Sequence, residues 1–400
     1  MLKEVKVIDL TRLLPGPYLT LMLANYGAEI WKIESVGEGD YLRNLPPEIA
    51  PGYGSYYSFL NPNKKQIALD LKSQEGKNIL LKMLESAHVL VEGFRPGVMQ
   101  RLGLDYDSLK DDFPHLVYCS IVGYSSHTPL SSKAGHDLNY LAYSGVLDLM
   151  GSSEGPPQMP GIQIADLSGA LFGLSAVLMG LYQQAKTGKG DYVEVSMMES
   201  AHCLLPFSVA RYFASGEPPK RGQDILSGDL ANYGIYETKD GKYMALGALE
   251  PKFWLAFCEA LGEISLLQEN FLTPQGKANL KKKLRDIFLQ RTQEEWIRFA
   301  EKGDFCLTPV LNIKEALEKK ELALNELYEK TGTPPFQSFP FLKGPLHWKN
   351  FQPSIQNPPG KLGQDTHFLL SSLGFTKEEL EKLKEKGVID YPSSEDNPSQ

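Results

Sequence analysis

The first 34 residues constrain the fold most, because two strand patterns enclose a helix pattern. Residues 5–10 form a short apolar run typical of a buried strand, and residues 29–34 form a second. Between them, residues 15–24 begin with Pro-Gly-Pro, and proline favours the first helical turn. A strand, a helix and a strand at this spacing predict a βαβ unit, whose strands are parallel.

Further strands are predicted at 66–71, 88–94 and 116–122, with a helix from Ser73 to Leu84. The fold class expected is therefore α/β, with a Rossmann-like parallel sheet in a large domain. A dinucleotide-binding fold would have G-x-G-x-x-G after its first strand. Residues 13–17 read Leu-Leu-Pro-Gly-Pro instead, which argues against a nicotinamide cofactor.

The length and net charge of the chain limit the kinds of function that it can have. The chain has 400 residues and a net charge of -8, so two domains are expected and a general nucleic-acid binder is not. Its four cysteines form no C-x-x-C pair and no zinc spacing, and reduced thiols favour a cytoplasmic protein. The start of the chain has no signal-peptide pattern. Polar residues interrupt the longest apolar run, 165–181, so no membrane span is expected.

Proline-rich passages suggest the domain limits. We predict a large α/β domain over 1–213, whose N-terminal part binds the ligand, and a linker over 214–230. A small α+β domain is predicted over 231–320, starting with a hairpin around Lys239-Asp240-Gly241. Residues 321–390 would return to the large domain, and 391–400 would form a disordered tail. Residues 36–62 are predicted to be one long loop.

Two groups that can exchange a proton are predicted at helix starts. His136 precedes a predicted helix that runs to about Met150, and Asp137 is suited to cap that helix. Asp166 opens a strongly apolar helix, where the positive end of the dipole favours a carboxylate. Taken alone, Asp166 could be only a helix cap and His136 only a loop histidine.

Arg95 follows the predicted strand 88–94 directly. Ligands of open α/β sheets bind beyond the carboxyl ends of the strands, so Arg95 is placed where a phosphate would bind. A surface ion pair explains an isolated arginine equally well. Lys64 and Lys65 precede a strand and are less well placed by this rule.

An ordered set of short motifs resembles the alpha-methylacyl-CoA racemase branch of the family III CoA-transferases (CaiB/BaiF type). The resemblance extends nearly from end to end, and the set is specific although no single motif is. The matching segments are residues 9–11, 15–17, 69–71, 91–97, 135–140, 165–169, 189–196 and 247–253.

This resemblance implies a reaction and its residues. A racemase removes the proton next to a thioester carbonyl and returns one to the opposite face. By the resemblance, His136 faces the S substrate, Asp166 faces the R substrate, and Glu250 orients His136. Taken alone, Glu250 would be only an acid at a helix start. The remaining contacts expected with the acyl-CoA substrate are Arg95, Ala68, Leu69, Asp70, Leu71, Gly135, Asp137, Leu138, Asn139 and Tyr140.

The resemblance further implies a homodimer of interlocked chains with a shared site, no cofactor besides the CoA of the substrate, and no metal. Ser35 departs from the racemase branch, which often has an arginine there that meets the CoA nucleotide. Two other functions stay open. In a CoA-transferase of this family, Asp166 would be a covalent nucleophile, and a non-catalytic acyl-CoA-binding protein would need no proton exchange.

Overall fold

The computed structural model describes residues 1–268 and 273–392. These divide into two compact units. The large unit contains residues 1–144, 161–204 and the chain from 325 onward, and the small unit contains 145–160 and 205–324.

The described strands are β1 (Lys6–Asp9), β2 (Glu29–Glu34), β3 (Glu48–Ala50), β4 (Tyr53–Gly54), β5 (Lys64–Leu69), β6 (Val89–Glu92), β7 (Val117–Val122), β8 (Tyr192–Ser196), β9 (Tyr233–Glu237), β10 (Tyr243–Gly247), β11 (Leu307–Pro309), β12 (Tyr328–Lys330), β13 (Pro340–Leu342) and β14 (Ile389–Asp390).

The described α-helices are α1 (Pro15–Asn25), α2 (Ser55–Leu60), α3 (Gln74–Leu84), α4 (Val98–Leu102), α5 (Tyr106–Leu109), α6 (Asp137–Ser144), α7 (Val146–Leu149), α8 (Ile164–Thr187), α9 (Met197–His202), α10 (Pro206–Ser215), α11 (Pro251–Leu261), α12 (Pro274–Phe288), α13 (Gln293–Ala300), α14 (Ile313–Glu318), α15 (Thr366–Ser372) and α16 (Lys377–Glu385). Short 3-10 helices occupy Tyr41–Asn44, Ile264–Gln268, Lys320–Leu322 and Leu324–Leu327.

The large unit is built on a seven-stranded sheet in the order β14-β5-β2-β1-β6-β7-β8. Six strands are parallel, and β14 is antiparallel to β5. The strands are nearly continuous runs of buried residues, as expected when both faces of a parallel sheet are covered. The predicted α/β class and Rossmann-like sheet are confirmed.

The small unit pairs an antiparallel sheet, β11-β10-β9, with helices α11 to α13. Its core is aromatic: the ring of Phe288 lies 4.7 Å from that of Tyr236 and 4.5 Å from that of Trp296, between ring centroids. The strands β9 and β10 form the hairpin expected from the Asp-Gly turn.

The small unit begins earlier in the chain than the prediction placed it. Residues 145–160 belong to it, although we had assigned them to the large domain. Arg221 holds this stretch: its Nε donates to the carbonyl oxygen of Asp148 at 2.7 Å, and its Nη2 lies 3.0 Å from the Asp148 carboxylate. A third hydrogen bond runs from Arg221 to the carbonyl of Gly155. These contacts join segments 66 and 73 residues apart, which local pattern does not reveal.

The prediction of one long loop over 36–62 is wrong. This stretch contains a 3-10 helix, the ribbon β3-β4 and helix α2. Arg43 organises it from a buried position, because its Nη2 contacts the Glu34 carboxylate at 2.7 Å and the Tyr57 hydroxyl at 2.6 Å. Residues 36–62, although rich in glycine, proline and tyrosine, therefore form an ordered segment around the buried ion pair of Arg43 and Glu34.

The predicted helix from His136 to Met150 is two helices. Gly145 has a φ of +84° and ends the first, α6, after which α7 begins at Val146. Such a φ is readily adopted by glycine alone. In the predicted tail, the ring of Tyr391 packs 5.1 Å from that of His367, whereas residues 393–400 lie outside the described residues.

Helix α8 is long and apolar enough to cross a membrane by length and composition alone, with 33% of its most apolar window buried. The expectation that its polar residues would disqualify it was therefore too strict. In the large unit α8 packs against α1, α6, α9 and β7, as a core helix does. Its other face leaves Phe172 and Met179 exposed.

Candidate active site

A cavity of about 560 Å³ opens at the carboxyl ends of the parallel strands. The turns after β1 and β6 and the end of β7 form one side of it, and residues 131–140 with the start of α8 form the other. The strands β1 and β6 are neighbours at the point where the strand order reverses, which is where open α/β sheets bind ligands. The position expected for Arg95 agrees with this geometry.

The structure brings six predicted site residues to this cavity: Arg95, Gly135, His136, Asn139, Tyr140 and Asp166. A second cavity of about 150 Å³ in the same unit is lined by Leu69, Asp70 and Leu71. The other predicted residues line neither cavity: Ala68 is buried in β5, Leu138 is 41% exposed, Asp137 packs against α8, and Glu250 belongs to the small unit.

His136 immediately precedes α6 and is exposed. Its backbone N–H donates to the side-chain oxygen of Asn139 at 3.1 Å, and the backbone N–H of Asn139 donates back to the carbonyl of His136 at 2.8 Å. These reciprocal bonds fix the start of the helix and the backbone that presents the imidazole.

The sequence predicts that Asp137 caps its own helix, α6. In the structure it caps the neighbouring helix α8 instead. Its carboxylate oxygen accepts hydrogen bonds from the backbone N–H groups of Ala165 at 2.7 Å and Asp166 at 3.1 Å. Gln163, at the N-cap position of α8, provides no side-chain cap. Because helix N-termini leave backbone donors unsatisfied, a carboxylate from another element can take them. Asp137 thus fastens the helix carrying Asp166 to the segment carrying His136.

Asp166 is kept partly protonated at neutral pH. Burial, and after it the nearby negative charge of Asp137, together raise the pKa of its carboxyl to about 7. The local helix donors are already bonded to Asp137. Within residues 1–268 and 273–392, the Asp166 carboxyl accepts no hydrogen bond that would favour its charged form. A carboxyl group in this state can both give and take a proton near pH 7.

Replacing Asp137 by asparagine should lower the pKa of Asp166, because the charge disappears while the asparagine oxygen can still accept the two N–H bonds. The titration of the Asp166 carboxyl, followed by carbon-13 NMR in both proteins, measures the shift. Asp107→Asn, on an exposed helix, serves as the control. An unchanged Asp166 titration in Asp137→Asn would leave burial as the whole cause.

Tyr140 lines the same cavity and is held in place by two contacts. Its hydroxyl donates to the carbonyl of Gly135 at 2.6 Å, and its ring packs edge-on against Tyr124 at 5.1 Å between centroids. A Cβ added at Gly123 would overlap the ring and hydroxyl of Tyr140, so a larger residue there would displace that side chain. Burial raises the pKa of Tyr140 to about 12, which suits a structural hydroxyl.

Two cationic residues of the cavity were missed by the sequence analysis, Arg12 and Lys133. Together with Arg95 they give the lining three cations, against one carboxylate, Asp166, among the described residues. In that part of the chain none of the three cations forms a salt bridge. An excess of unpaired positive charge fits an anionic ligand. Lys133, three residues before His136, could have been found from its proximity to that motif.

Glu250 lies at the N-cap position of α11, with extended backbone angles and no side-chain capping bond. Its side chain is exposed. The carboxylate is therefore not consumed by the helix that it precedes, which was the alternative interpretation of this residue. Among residues 1–268 and 273–392, no group of three His, Cys, Asp or Glu side chains is arranged to hold a metal ion.

Residues 2–366 match the model of CoA-transferase family III, and the chain belongs to this family of CoA-transferases and racemases. The chain is 32% identical to mouse (Mus musculus) alpha-methylacyl-CoA racemase, with 98% of each chain covered. It is 31% identical to mouse succinyl-CoA:glutarate CoA-transferase, over 97% of this chain and 90% of that protein.

A CaiB/BaiF family protein from Brucella suis has the same fold. Its crystal structure aligns with a TM-score of 0.82 at 25% identity and covers 93% of this chain and 99% of that one. The resemblance drawn from short motifs is therefore confirmed at the level of the family, whose members include both a racemase and transferases acting on CoA thioesters.

Proposed function

We propose that this enzyme interconverts the R and S forms of a 2-methylacyl-CoA thioester. The observation that carries the proposal is the shared cavity of His136 and Asp166, in which the pKa of Asp166 is raised to about 7. Racemisation needs two groups of similar proton affinity, one for each face of the α-carbon. We assign His136 and Asp166 as this pair, and the raised pKa of Asp166 lets its carboxyl both give and take a proton near pH 7.

In the proposed reaction, one group removes the α-proton and the C–H electron pair passes into the thioester, which becomes an enolate. The other group then gives its own proton to the opposite face of the same carbon, so the configuration inverts. Both groups lie at helix starts, α6 and α8, whose positive dipole ends favour the developing negative charge.

We further propose that the working form is a homodimer. The exposed face of α8 carries large apolar side chains, with Phe172 43%, Leu171 50% and Met179 70% exposed. A contiguous apolar face of this kind is typical of a protein contact surface. The family resemblance supports a partner chain that brings its own Glu250 to His136, where the carboxylate would fix the imidazole through its second nitrogen.

A CoA-transferase is the second candidate. The Asp166 carboxyl accepts no hydrogen bond from the described residues. This favours a transferase, because a carboxylate oxygen without hydrogen bonds is free to attack a thioester carbonyl. The attack would form an acyl–aspartyl anhydride and release CoA as its thiolate. The similar identity to the racemase and the transferase, 32% and 31%, does not separate the two reactions.

Deuterium incorporation separates them. Each enantiomer of 2-methylacyl-CoA is incubated with the enzyme in D2O without an acceptor acid, and the α-carbon is followed by NMR and chiral chromatography. Inverted product carrying deuterium, from both enantiomers, is the expected result. Absence of exchange together with CoA transfer to an added carboxylic acid would contradict the racemase and establish the transferase.

A further inference from the structure

Arg12 lies where two cavities of the large unit meet. Its side chain lines both the 560 Å³ cavity of His136 and Asp166 and the 150 Å³ cavity of Leu69 to Leu71. Leu10 and Phe94 are the other residues shared by the two linings. A ligand that extends from one cavity into the other therefore passes the Arg12 guanidinium.

The guanidinium is held by aromatic rings. Its central carbon lies 5.6 Å from the ring centroid of Tyr41 and 5.8 Å from that of Phe94, and Nη1 is 3.5 Å from the Tyr41 hydroxyl. No carboxylate of residues 1–268 or 273–392 forms a salt bridge with it. Two rings restrict the plane of the cation without neutralising its charge, so Arg12 keeps its capacity for an anion.

The backbone around Arg12 is fixed by buried charges. Leu13 has a φ of +64°, which is rare for a residue with a side chain, and its N–H donates to the buried carboxylate of Asp40 at 3.1 Å. Lys32, fully buried between Asp9 and Asp40, donates to the carbonyl of Thr11. Such an unusual conformation persists only where the surroundings impose it, and it is frequent at ligand sites.

Ser35 lies on the wall of the smaller cavity. Its hydroxyl oxygen is buried and has no hydrogen-bond partner among residues 1–268 and 273–392. The serine side chain is short and neutral, so position 35 supplies no charge to this cavity. Arg12 lines the same small cavity from the turn after β1.

We propose that Arg12 binds the phosphate-bearing nucleotide half of the CoA thioester, together with Lys72, the other cation that lines the smaller cavity. The inference rests on the proposed use of a CoA thioester. A guanidinium can offer two parallel N–H groups to one phosphate, a contact that lysine cannot reproduce. Tyr41 and Phe94 orient the Arg12 guanidinium before the ligand binds, which reduces the entropy lost on binding.

Isothermal titration calorimetry with CoA tests the assignment on the full-length protein. Arg12→Gln should weaken CoA binding about 10- to 100-fold, the effect of losing a charge-assisted contact, and should reduce the dependence of affinity on KCl concentration. Arg12→Lys should recover only part of the affinity. The double variant Arg12→Gln/Ser35→Arg should bind more tightly than Arg12→Gln, since the second change adds a cation beside Lys72 in the small cavity.

Arg298→Gln, an exposed arginine that lines neither cavity, is the matched control and should bind CoA as the wild type does. Thermal unfolding of each variant checks its fold. Wild-type affinity and salt dependence in Arg12→Gln would overturn the role of Arg12 and leave the proposed function standing. A wild-type protein that does not bind CoA would contradict the proposed function itself.

Discussion

Asparagine in place of Asp166 is expected to reduce inversion of a 2-methylacyl-CoA by about 10²- to 10⁴-fold, the usual contribution of a positioned acid or base. The amide keeps the size of the side chain but can no longer exchange a proton. By the proposed assignment, His136 still reaches one face of the α-carbon, so the S enantiomer should keep exchanging its α-proton for deuterium with retention of configuration. Chiral analysis combined with NMR in D2O measures both effects.

The same variant has a second expected result, on stability. An aspartate whose folded pKa is about 7, against an ordinary value of 3.8, binds a proton in the folded state that the unfolded chain has released. Wild-type stability therefore falls as pH rises from about 4 to about 7 and then stays constant with respect to this group. Asp166→Asn lacks this loss, so its Tm should exceed that of the wild type by a growing margin across that range.

Calorimetric Tm measurements at pH 4, 6 and 8 test this expectation, with Asp107→Asn as an exposed control. A Tm difference that does not grow with pH would mean that Asp166 is charged in the folded protein at neutral pH. Loss of both inversion and exchange in Asp166→Asn, together with loss of CoA transfer, would instead identify Asp166 as a nucleophile.

Replacing His136 by alanine is the second large effect and separates the two candidate functions most clearly. A racemase that loses its imidazole should lose inversion by about 10²- to 10⁴-fold. Asp166 would still exchange the α-proton of the R enantiomer with retention. A transferase that attacks through Asp166 does not need an imidazole as proton donor, so its CoA transfer should persist in His136→Ala.

His347→Ala, an exposed histidine that lines neither cavity, is the control. The two variants also test each other. If Asp166→Asn and His136→Ala abolish exchange for the same enantiomer, then the two groups do not serve opposite faces, and the assignment is wrong.

Much of the fold could be predicted because its signals are local. The opening βαβ unit fixes a parallel sheet, and the run Glu29–Glu34 is the strand β2 residue for residue. The position of Arg95 also follows from a local rule, since any residue directly after a parallel strand faces the ligand edge of the sheet. His136 and Asp166 were found as helix starts, but their common cavity was expected only through the family resemblance.

The parts that could not be predicted depend on pairs distant in sequence. Local capping rules predict that Asp137 caps its own helix, yet its oxygen accepts hydrogen bonds from residues 28 and 29 positions later. Arg43 stabilises residues 36–62 through its buried contacts with Glu34 and Tyr57. Hydrophobic periodicity does not predict such buried polar contacts. The raised pKa of Asp166 likewise needs the burial and the neighbouring charge that only the folded chain provides.

The position of strand β14 has a consequence for how the protein folds during its synthesis. This strand, residues 389–390, is the last that the structure describes, yet it pairs with β5, formed by residues 64–69. The N–H of Asp70 donates to the carbonyl of Val388 at 2.8 Å, next to the wall of the smaller cavity. During synthesis, the edge of β5 stays uncovered until more than 300 further residues have been made. Contacts of such long range are closed late in folding, so premature termination should release a chain with an open, aggregation-prone sheet edge.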